Sequence, residues 1–241
     1  MNVCVSLSRL LPSYIEEPEC VVVVDVVRSG TTAATAIANG AKEVMLFRTV
    51  EQTLAQAQKR ERDTYVLGGE RGSDRISGFD CGNSPFEYSD SVVEGKTVLM
   101  STSNGPAAFD KYRTAPHVLY ASWATTKATA RRVNALCPES VLIVCAGTFG
   151  LYSEEDAVCA GRLVSLFAGA KELDDGCHAA KLAYEQYGTD KKFLDALPTM
   201  EGGRRLFAKG MERDFVPCTT SDAFDFALEY EHELNRFVPV R

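Results

Sequence analysis

Five apolar residues in a row, Cys20-Val21-Val22-Val23-Val24, run straight into Asp25 and constrain the fold of this 241-residue chain more than any other segment. β-branched side chains fall on both faces of such an extended stretch, the pattern of a strand buried between two layers, as in a parallel sheet. Around it, strand and helix patterns alternate. Thr31 to Asn39 carries alanines and threonines closed by Gly40, and Lys42 to Phe47 (KEVMLF) reads as the next strand, giving one βαβ unit. Thr49-Val50-Glu51-Gln52 has capping-box spacing and opens a helix to about Arg62, followed by a short strand from Tyr65 to Leu67. Lys96 to Met100, His117 to Tyr120 and Val141 to Cys145 read as further strands, with helices expected over Pro106 to Tyr112 and Thr125 to Leu136.

Ser153 before Glu154, Glu155 and Asp156 gives a hydroxyl cap and an acidic first turn, and Val158, Leu163, Val164 and Phe167 mark the apolar stripe of a helix to about Ala168. From Leu173 to Arg241 the pattern is mainly helical, broken at Gly188, Pro198, Gly202-Gly203 and Pro217, with short strands after Phe215. The expected class is α/β: a three-layer α/β/α sandwich with a mostly parallel central sheet and helices on both faces. No clean linker and no repeat of about 20 to 50 residues divides the chain. The expectation is one α/β domain over residues 1–241, a form that includes two intertwined lobes with the active site between them.

Lys and Arg number 26 against 33 Asp and Glu, a formal net charge of −7 that repels phosphate backbones, so no nucleic-acid partner is expected. No apolar run approaches the roughly 20 residues that cross a bilayer, so no membrane partner is expected either. The amino terminus, MNVCVSLSRLLPSYIEEPE, has no basic segment ahead of its apolar residues, and the expected compartment is the cytoplasm. The 8 cysteines are spread without a Cys-x-x-Cys pair and read as reduced core residues, and with only 3 histidines no zinc-ligand spacing appears.

In open α/β sheets ligands collect beyond the carboxyl ends of the strands, so residues just after each strand are the ones to weigh. After the first buried strand come Asp25 and Arg28 beside the hydroxyl-rich start Ser29-Gly30-Thr31-Thr32. Helix-start N–H groups bind anions, Arg28 can clamp phosphate oxygens, and Asp25 can hold Mg2+ or attack phosphorus. A Thr-rich cap with a plain ion pair is the competing reading, but burying such charges without a task is costly. Gly68-Gly69-Glu70-Arg71-Gly72 adds a second acid–arginine pair where glycines allow close approach to a ligand, or a solvated turn. The segment from Gly68 to Gly95 holds six glycines and no sustained period, and reads as a long functional loop contributing Asn83 and Ser84.

Ser101-Thr102-Ser103-Asn104-Gly105-Pro106 offers three hydroxyls and an amide at a helix start, more than capping alone requires, and reads as an anion nest. Cys145-Ala146-Gly147 follows another strand and leads to Glu155 and Asp156, which are either metal ligands or acids complementing a helix dipole. Several acids, two arginines, hydroxyl nests and almost no histidine point to Mg2+-assisted phosphoryl chemistry on a small phosphate ester rather than to Ser-His-Asp hydrolysis. Cys145 lacks an arginine six residues on, as does every other cysteine, so the thiol-phosphatase signature is absent and a core role is the plainer reading.

The segments VVVVDVVRSGTTAATAIANGA, LGGERGSDRISGFDCGNSPFEY, STSNG and CAGTFGLYSEEDAVCAG, in this order and spacing, resemble the 2-phosphosulfolactate phosphatase family. The resemblance is dense from Cys20 to Leu166 and thinner through Gly203-Arg204-Arg205-Leu206, Gly210, Asp214 and Cys218. It implies a Mg2+-dependent acid phosphatase that converts 2-phosphosulfolactate to 3-sulfolactate and phosphate, a coenzyme M precursor step, on an α/β/α fold peculiar to the family. With the motif reading, it implies catalytic roles for Asp25, Arg28, Arg71 and Cys145. Substrate binding falls to Arg28, Arg71, Asn83, Ser84, Ser101, Thr102, Ser103, Asn104, Gly105 and Gly147, and metal binding to Asp25, Glu70, Glu155, Asp156 and Asp214.

The chain departs from the family pattern at Ser29-Gly30, Cys81, Ser101 and Ser103, changes that bear on the organic half of the substrate. Either water or Asp25 attacks phosphorus, although Val27 stands where haloacid dehalogenase-type phosphatases carry a second Asp. Two alternatives stay open: a non-catalytic binder of a phosphorylated or sulfonated metabolite, and a phosphatase for another 2-phospho-carboxylate. Apolar residues around Phe224, Phe226 and Tyr230 suit a homodimer contact or an internal core equally.

Overall fold

The computed structural model describes residues 1–11 and 15–241; Pro12, Ser13 and Tyr14, part of the amino-terminal segment read above, lie outside the described residues. In chain order the first half holds β1 (Asn2–Ser6), β2 (Cys20–Val24), α1 (Ser29–Ala38), β3 (Glu43–Phe47), α2 (Val50–Ala57), β4 (Tyr65–Arg71), β5 (Asp74–Arg75), α3 (Asp90–Val93), β6 (Thr97–Ser101) and α4 (Gly105–Tyr112). Then come β7 (His117–Ala121), α5 (Thr126–Leu136), β8 (Ser140–Cys145), α6 (Glu154–Leu166), β9 (Lys171–Glu172), α7 (Asp175–Tyr187), α8 (Asp190–Ala196), α9 (Glu201–Phe207), α10 (Phe215–Thr219), β10 (Ala227–Glu231) and β11 (Arg236–Val240).

The strands form one sheet in the order β5-β4-β6-β3-β11-β10-β7-β2-β8-β1-β9. β2 lies between β7 and β8, parallel to both, and every one of its residues is fully buried. Its side chains divide by parity, as a strand covered on both faces requires. Cys20, Val22 and Val24 join a core with α5, α6, α7 and α8, whereas Val21 and Val23 join the opposite core with α1 and α4. Helices therefore cover both faces of a mostly parallel sheet, the expected α/β/α arrangement.

β4, β6 and β3 form one parallel group, and β7, β2, β8, β1 and β9 another. Between them the β10–β11 hairpin pairs antiparallel with itself, with β7 and with β3, so the two groups run in opposite senses. The segments that follow the two groups nevertheless meet: the Ser29 hydroxyl, just beyond β2, lies 3.3 Å from that of Thr102, the residue after β6. Phe237 of β11 sits at the hairpin junction, 5.1 Å from the Phe109 ring, 5.6 Å from Tyr120 and 5.3 Å from Tyr230. Tyr230 therefore belongs to an internal aromatic cluster.

Several elements differ from the sequence reading. α2 keeps its Thr49–Gln52 capping box but ends at Ala57 rather than near Arg62. β4 continues to Arg71 because Gly68 and Gly69 still pair with Met100 and Ser101, so the long loop starts later and contains β5 and α3. Ser153 makes no capping bond; its hydroxyl donates to Glu155 Oε1 instead. Gly202 and Gly203 lie inside α9 and do not break it. A Cβ on Gly202 would lie 2.2 Å from Glu155 Oε1, and one on Gly203 1.8 Å from the Leu197 carbonyl, so the glycines let this helix pack closely. Pro217 is tolerated in the first turn of α10, where its missing N–H would have no partner in the helix.

The hairpin junction gives a direct expectation. Phe237→Ala should lower the unfolding free energy by about 3–5 kcal/mol, the usual loss for a fully buried ring, read as a shift in urea midpoint. A loss under about 1 kcal/mol would mean that this ring does not hold the two strand groups together.

Candidate active site

Asp25 is the first residue after β2 and is only 5% exposed. Its Oδ1 accepts from the Ser29 N–H at 3.1 Å and its Oδ2 from the Tyr120 hydroxyl at 3.2 Å, so α1 and β7 both fix its direction. Gly105 allows α4 to begin against this pair: a Cβ there would lie 2.1 Å from the Tyr120 oxygen and 2.9 Å from Asp25 Oδ2. The other strand group arrives on the same spot. The Ser29 and Thr102 hydroxyls are 3.3 Å apart, and Thr32 donates to the Asn83 carbonyl at 2.9 Å. A cleft opens here, and Asp25, Arg28, Ser29, Glu70, Asn83, Thr102, Ser103 and Asn104 all line it.

Two more acids turn inward behind Asp25. Asp156 accepts from the Val26 N–H and the Gly147 N–H, each at 2.9 Å, and so ties the ends of β2 and β8. Glu155 Oε1 accepts from the Ser153 hydroxyl at 2.8 Å and the Gly202 N–H at 2.9 Å, while its Oε2 is buried without a hydrogen-bond partner. Burial pushes Asp25 up to about 7, with the charges of Glu70 and Glu155 adding to the shift. Burial also raises Asp156 well above the usual carboxylate range, helped by Asp25 and Glu155, and raises Glu155. These acids thus repel one another in a region that shields them from water.

Glu70 is held to the rim of the cleft, accepting from the Ser103 N–H and hydroxyl at 3.0 Å each and from the Ser73 N–H at 2.8 Å. Arg28 donates to Asp214 Oδ2 at 2.7 Å and to the Ser73 carbonyl at 2.9 Å, and Ser84 donates to Asp214 Oδ1 at 2.6 Å. Asp214 and Ser84 therefore steady Arg28 from behind. Arg71 follows Glu70 on a strand and turns to the other face, where it donates to the Arg48 carbonyl at 2.7 Å and the Ser101 hydroxyl at 2.8 Å. Ser101 is engaged there and not in the cleft lining. Cys145 is fully buried, its thiol pushed well up by burial and then by Asp156.

The sequence reading gave no site role to Tyr120, Ser73, Phe149 or Arg205, although Arg205 falls within the thinner part of the resemblance. Tyr120 stands next to last in β7, and that position near a strand end was its signal. Arg205 lay hidden because Gly202-Gly203 read as a helix break, yet α9 carries it into the cleft lining beside Phe149.

Among the described residues, no three His, Cys, Asp or Glu side chains are arranged to hold a metal ion between them. Mg2+ does not ask for such a cage, since it keeps waters and takes one or two carboxylates together with substrate oxygens. Asp25 and Glu70 in the cleft lining are hard oxygen donors of that kind, and the unpartnered oxygens Glu155 Oε2 and Asn83 Oδ1 leave acceptor capacity unused around them. The donor set fits such an ion.

Fold and site together define an α/β protein with a polar cleft, lined by Asp25 and Glu70, at the carboxyl ends of its strands. The family model for 2-phosphosulpholactate phosphatase matches residues 6–233, and the chain belongs to that family. It is 38% identical over 85% of both chains to a probable 2-phosphosulfolactate phosphatase of Gloeobacter violaceus. A protein of the same description from Caldanaerobacter subterraneus is 35% identical over 90% of this chain and 89% of its own, and one from Clostridium beijerinckii is 31% identical over 96% of both.

The raised Asp25 carboxyl makes stability depend on pH in a definite direction. Its pKa lies above the unfolded value of about 3.9, so between about 4 and about 7 the folded state holds the extra proton. Asp25 favours folding fully below that window and loses its contribution as pH rises through 7. In chelator-treated protein, Asp25→Asn should therefore raise the melting temperature relative to the parent, by more at pH 8 than at pH 5. Equal shifts at the two pH values would show that Asp25 is not titrating in the fold.

Proposed function

We propose that the chain hydrolyses the phosphate monoester 2-phosphosulfolactate to 3-sulfolactate and inorganic phosphate in the presence of Mg2+, a step of the coenzyme M-precursor type. The observation that carries this reading is the meeting of a fixed, buried Asp25 with the Ser29 and Thr102 hydroxyls and Arg28 in one cleft. Its relatives, described as probable 2-phosphosulfolactate phosphatases, support the same substrate.

Phosphoryl transfer passes through a loose transition state, so positioning and charge supply most of the rate. Arg28 is clamped by Asp214 and the Ser73 carbonyl and still has N–H donors left for phosphate oxygens. The Ser29 and Thr102 hydroxyls and the Asn83 side chain face the same space and complete the phosphate contacts. Asp25, held by the Ser29 N–H and the Tyr120 O–H, orients water for in-line attack on phosphorus. Val27 favours water over an aspartyl intermediate, because a second acid two residues after Asp25 is missing. Mg2+ held by Asp25 and Glu70 would supply positive charge to the phosphate oxygens. Arg71 and Cys145 have no part in these steps.

Phosphate release from 2-phospho-3-sulfolactate with Mg2+ tests the reading. Activity should vanish with EDTA and fall at least about a hundredfold in Asp25→Asn. Circular dichroism on the same variant separates lost chemistry from lost fold. Ligand binding by the parent protein without any phosphate release would replace the enzyme with a binding protein.

A further inference from the structure

Two arginines line the cleft, Arg28 and Arg205, and they differ in one respect. Arg28 forms an ion pair with Asp214 at 2.7 Å, both side chains buried. Arg205 has no carboxylate partner among the described residues, and its guanidinium lies 4.5 Å from the centroid of the Phe149 ring. An aromatic face orients a guanidinium without neutralising it. The next residue back, Arg204, is turned elsewhere and pairs with Glu201 at 2.5 Å.

The platform under Arg205 is built from both sides. The Gly202 N–H donates to Glu155 Oε1 at 2.9 Å, and the close approach of Gly203 to Leu197 fixes α9 in place. Phe149 sits at φ 54°, an uncommon backbone conformation for a bulky side chain, with its N–H donated to Asn104 Oδ1 at 3.0 Å. Asn104 itself lines the cleft. Phe149 is thus held with its ring under Arg205, the cation of the lining that no acid compensates among the described residues.

The acids of the cleft, Asp25 and Glu70, oppose a second negative group on any substrate whose phosphate lies near them. Such a group is stable in the cleft where an uncompensated cation meets it. A guanidinium fork matches the oxygens of a sulfonate in a bidentate way, and beside Phe149 and Leu206 it suits a weakly hydrated anion. Resting on the reading above, we propose that Arg205 is the specificity-determining residue of this cleft and binds the sulfonate of the substrate while Arg28 and the hydroxyls hold its phosphate.

Kinetics with 2-phospho-3-sulfolactate and 2-phospholactate test this, because the second ester keeps the carboxylate and lacks the sulfonate. Arg205→Gln should raise KM for the sulfonated ester about tenfold or more, with a much smaller change in kcat. Its effect on 2-phospholactate should be at least about tenfold weaker, and Arg205→Lys should recover part of the loss. Arg204→Gln should leave both substrates untouched. Equal losses on the two esters would assign Arg205 to the carboxylate or to the fold, and no loss on either would remove it from binding; both overturn the proposal. Calorimetry with 3-sulfolactate and lactate reads the contact without turnover. If the parent releases phosphate from neither ester, the hydrolase reading fails, while weaker 3-sulfolactate binding in Arg205→Gln still supports the sulfonate contact and unchanged binding overturns it.

Discussion

Buried negative charge at the carboxyl end of the most apolar strand is the constraint on which the rest of the structure depends. Asp25 follows five fully buried residues, and Glu155 and Asp156 turn inward beside it. Taking carboxylates out of water costs several kcal/mol each unless hydrogen bonds replace the lost solvent. Here main-chain N–H groups do so: Ser29 for Asp25, Val26 and Gly147 for Asp156, Gly202 for Glu155. The same bonds tie the end of β2 to α1 and α6, and α6 in turn to the end of β8 and to α9. Satisfying the acids and closing the fold around the cleft are one event.

The arginines do not cancel this charge. Arg28 is committed to Asp214, and through Ser73 and Ser84 that buried pair gathers segments far apart in the chain. Removing one partner of such a pair leaves the other unpaired, which typically costs about 3–5 kcal/mol, so the pair is structural as well as polar. Asp25, Glu155 and Asp156 keep their mutual repulsion. The cleft lining consequently combines the carboxylates of Asp25 and Glu70, the hydroxyls of Ser29, Thr102 and Ser103, and the Arg205 guanidinium beside Phe149, which has no carboxylate partner among the described residues.

Much of this was legible in the sequence, and the failures have physical causes. β2, β3, β6, β7 and β8 could be read because strands covered on both faces leave apolar runs that need no partner to be recognised. The antiparallel insertion of β10 and β11 could not, because pattern reports a strand without its neighbours. Asp25, Glu70 and the 102–104 nest were proposed by the rule that ligands gather at strand ends, and the fold brings them into one cleft lining. Arg71 was drawn in with Glu70 because the strand was ended at Leu67. Once β4 runs to Arg71, alternation sends the two side chains to opposite faces. The first turn of α6 reads equally well as surface acids complementing a dipole, and only the fold shows Glu155 and Asp156 to be buried.

The cleft draws on both strand groups, although the β10–β11 hairpin reverses their sense. Asp25, Arg28, Ser29 and Phe149 come from the ends around β2 and β8, whereas Glu70, Ser73 and the 102–104 nest come from the ends of β4 and β6. The contacts that join them at the cleft are polar: Ser29 to Thr102, Arg28 to Ser73, and Phe149 to Asn104. Each such contact is modest in net energy because water competes for both partners. On the substrate reading proposed above, a ligand with separated negative groups would engage both sides at once, and its binding energy would also set the spacing of Asp25 from the Ser29 and Thr102 hydroxyls. Catalysis by positioning needs that spacing to be held most firmly when charge redistributes, and a cleft built from two opposed sets of strand ends places the positioning groups on rigid elements while leaving their separation to the ligand.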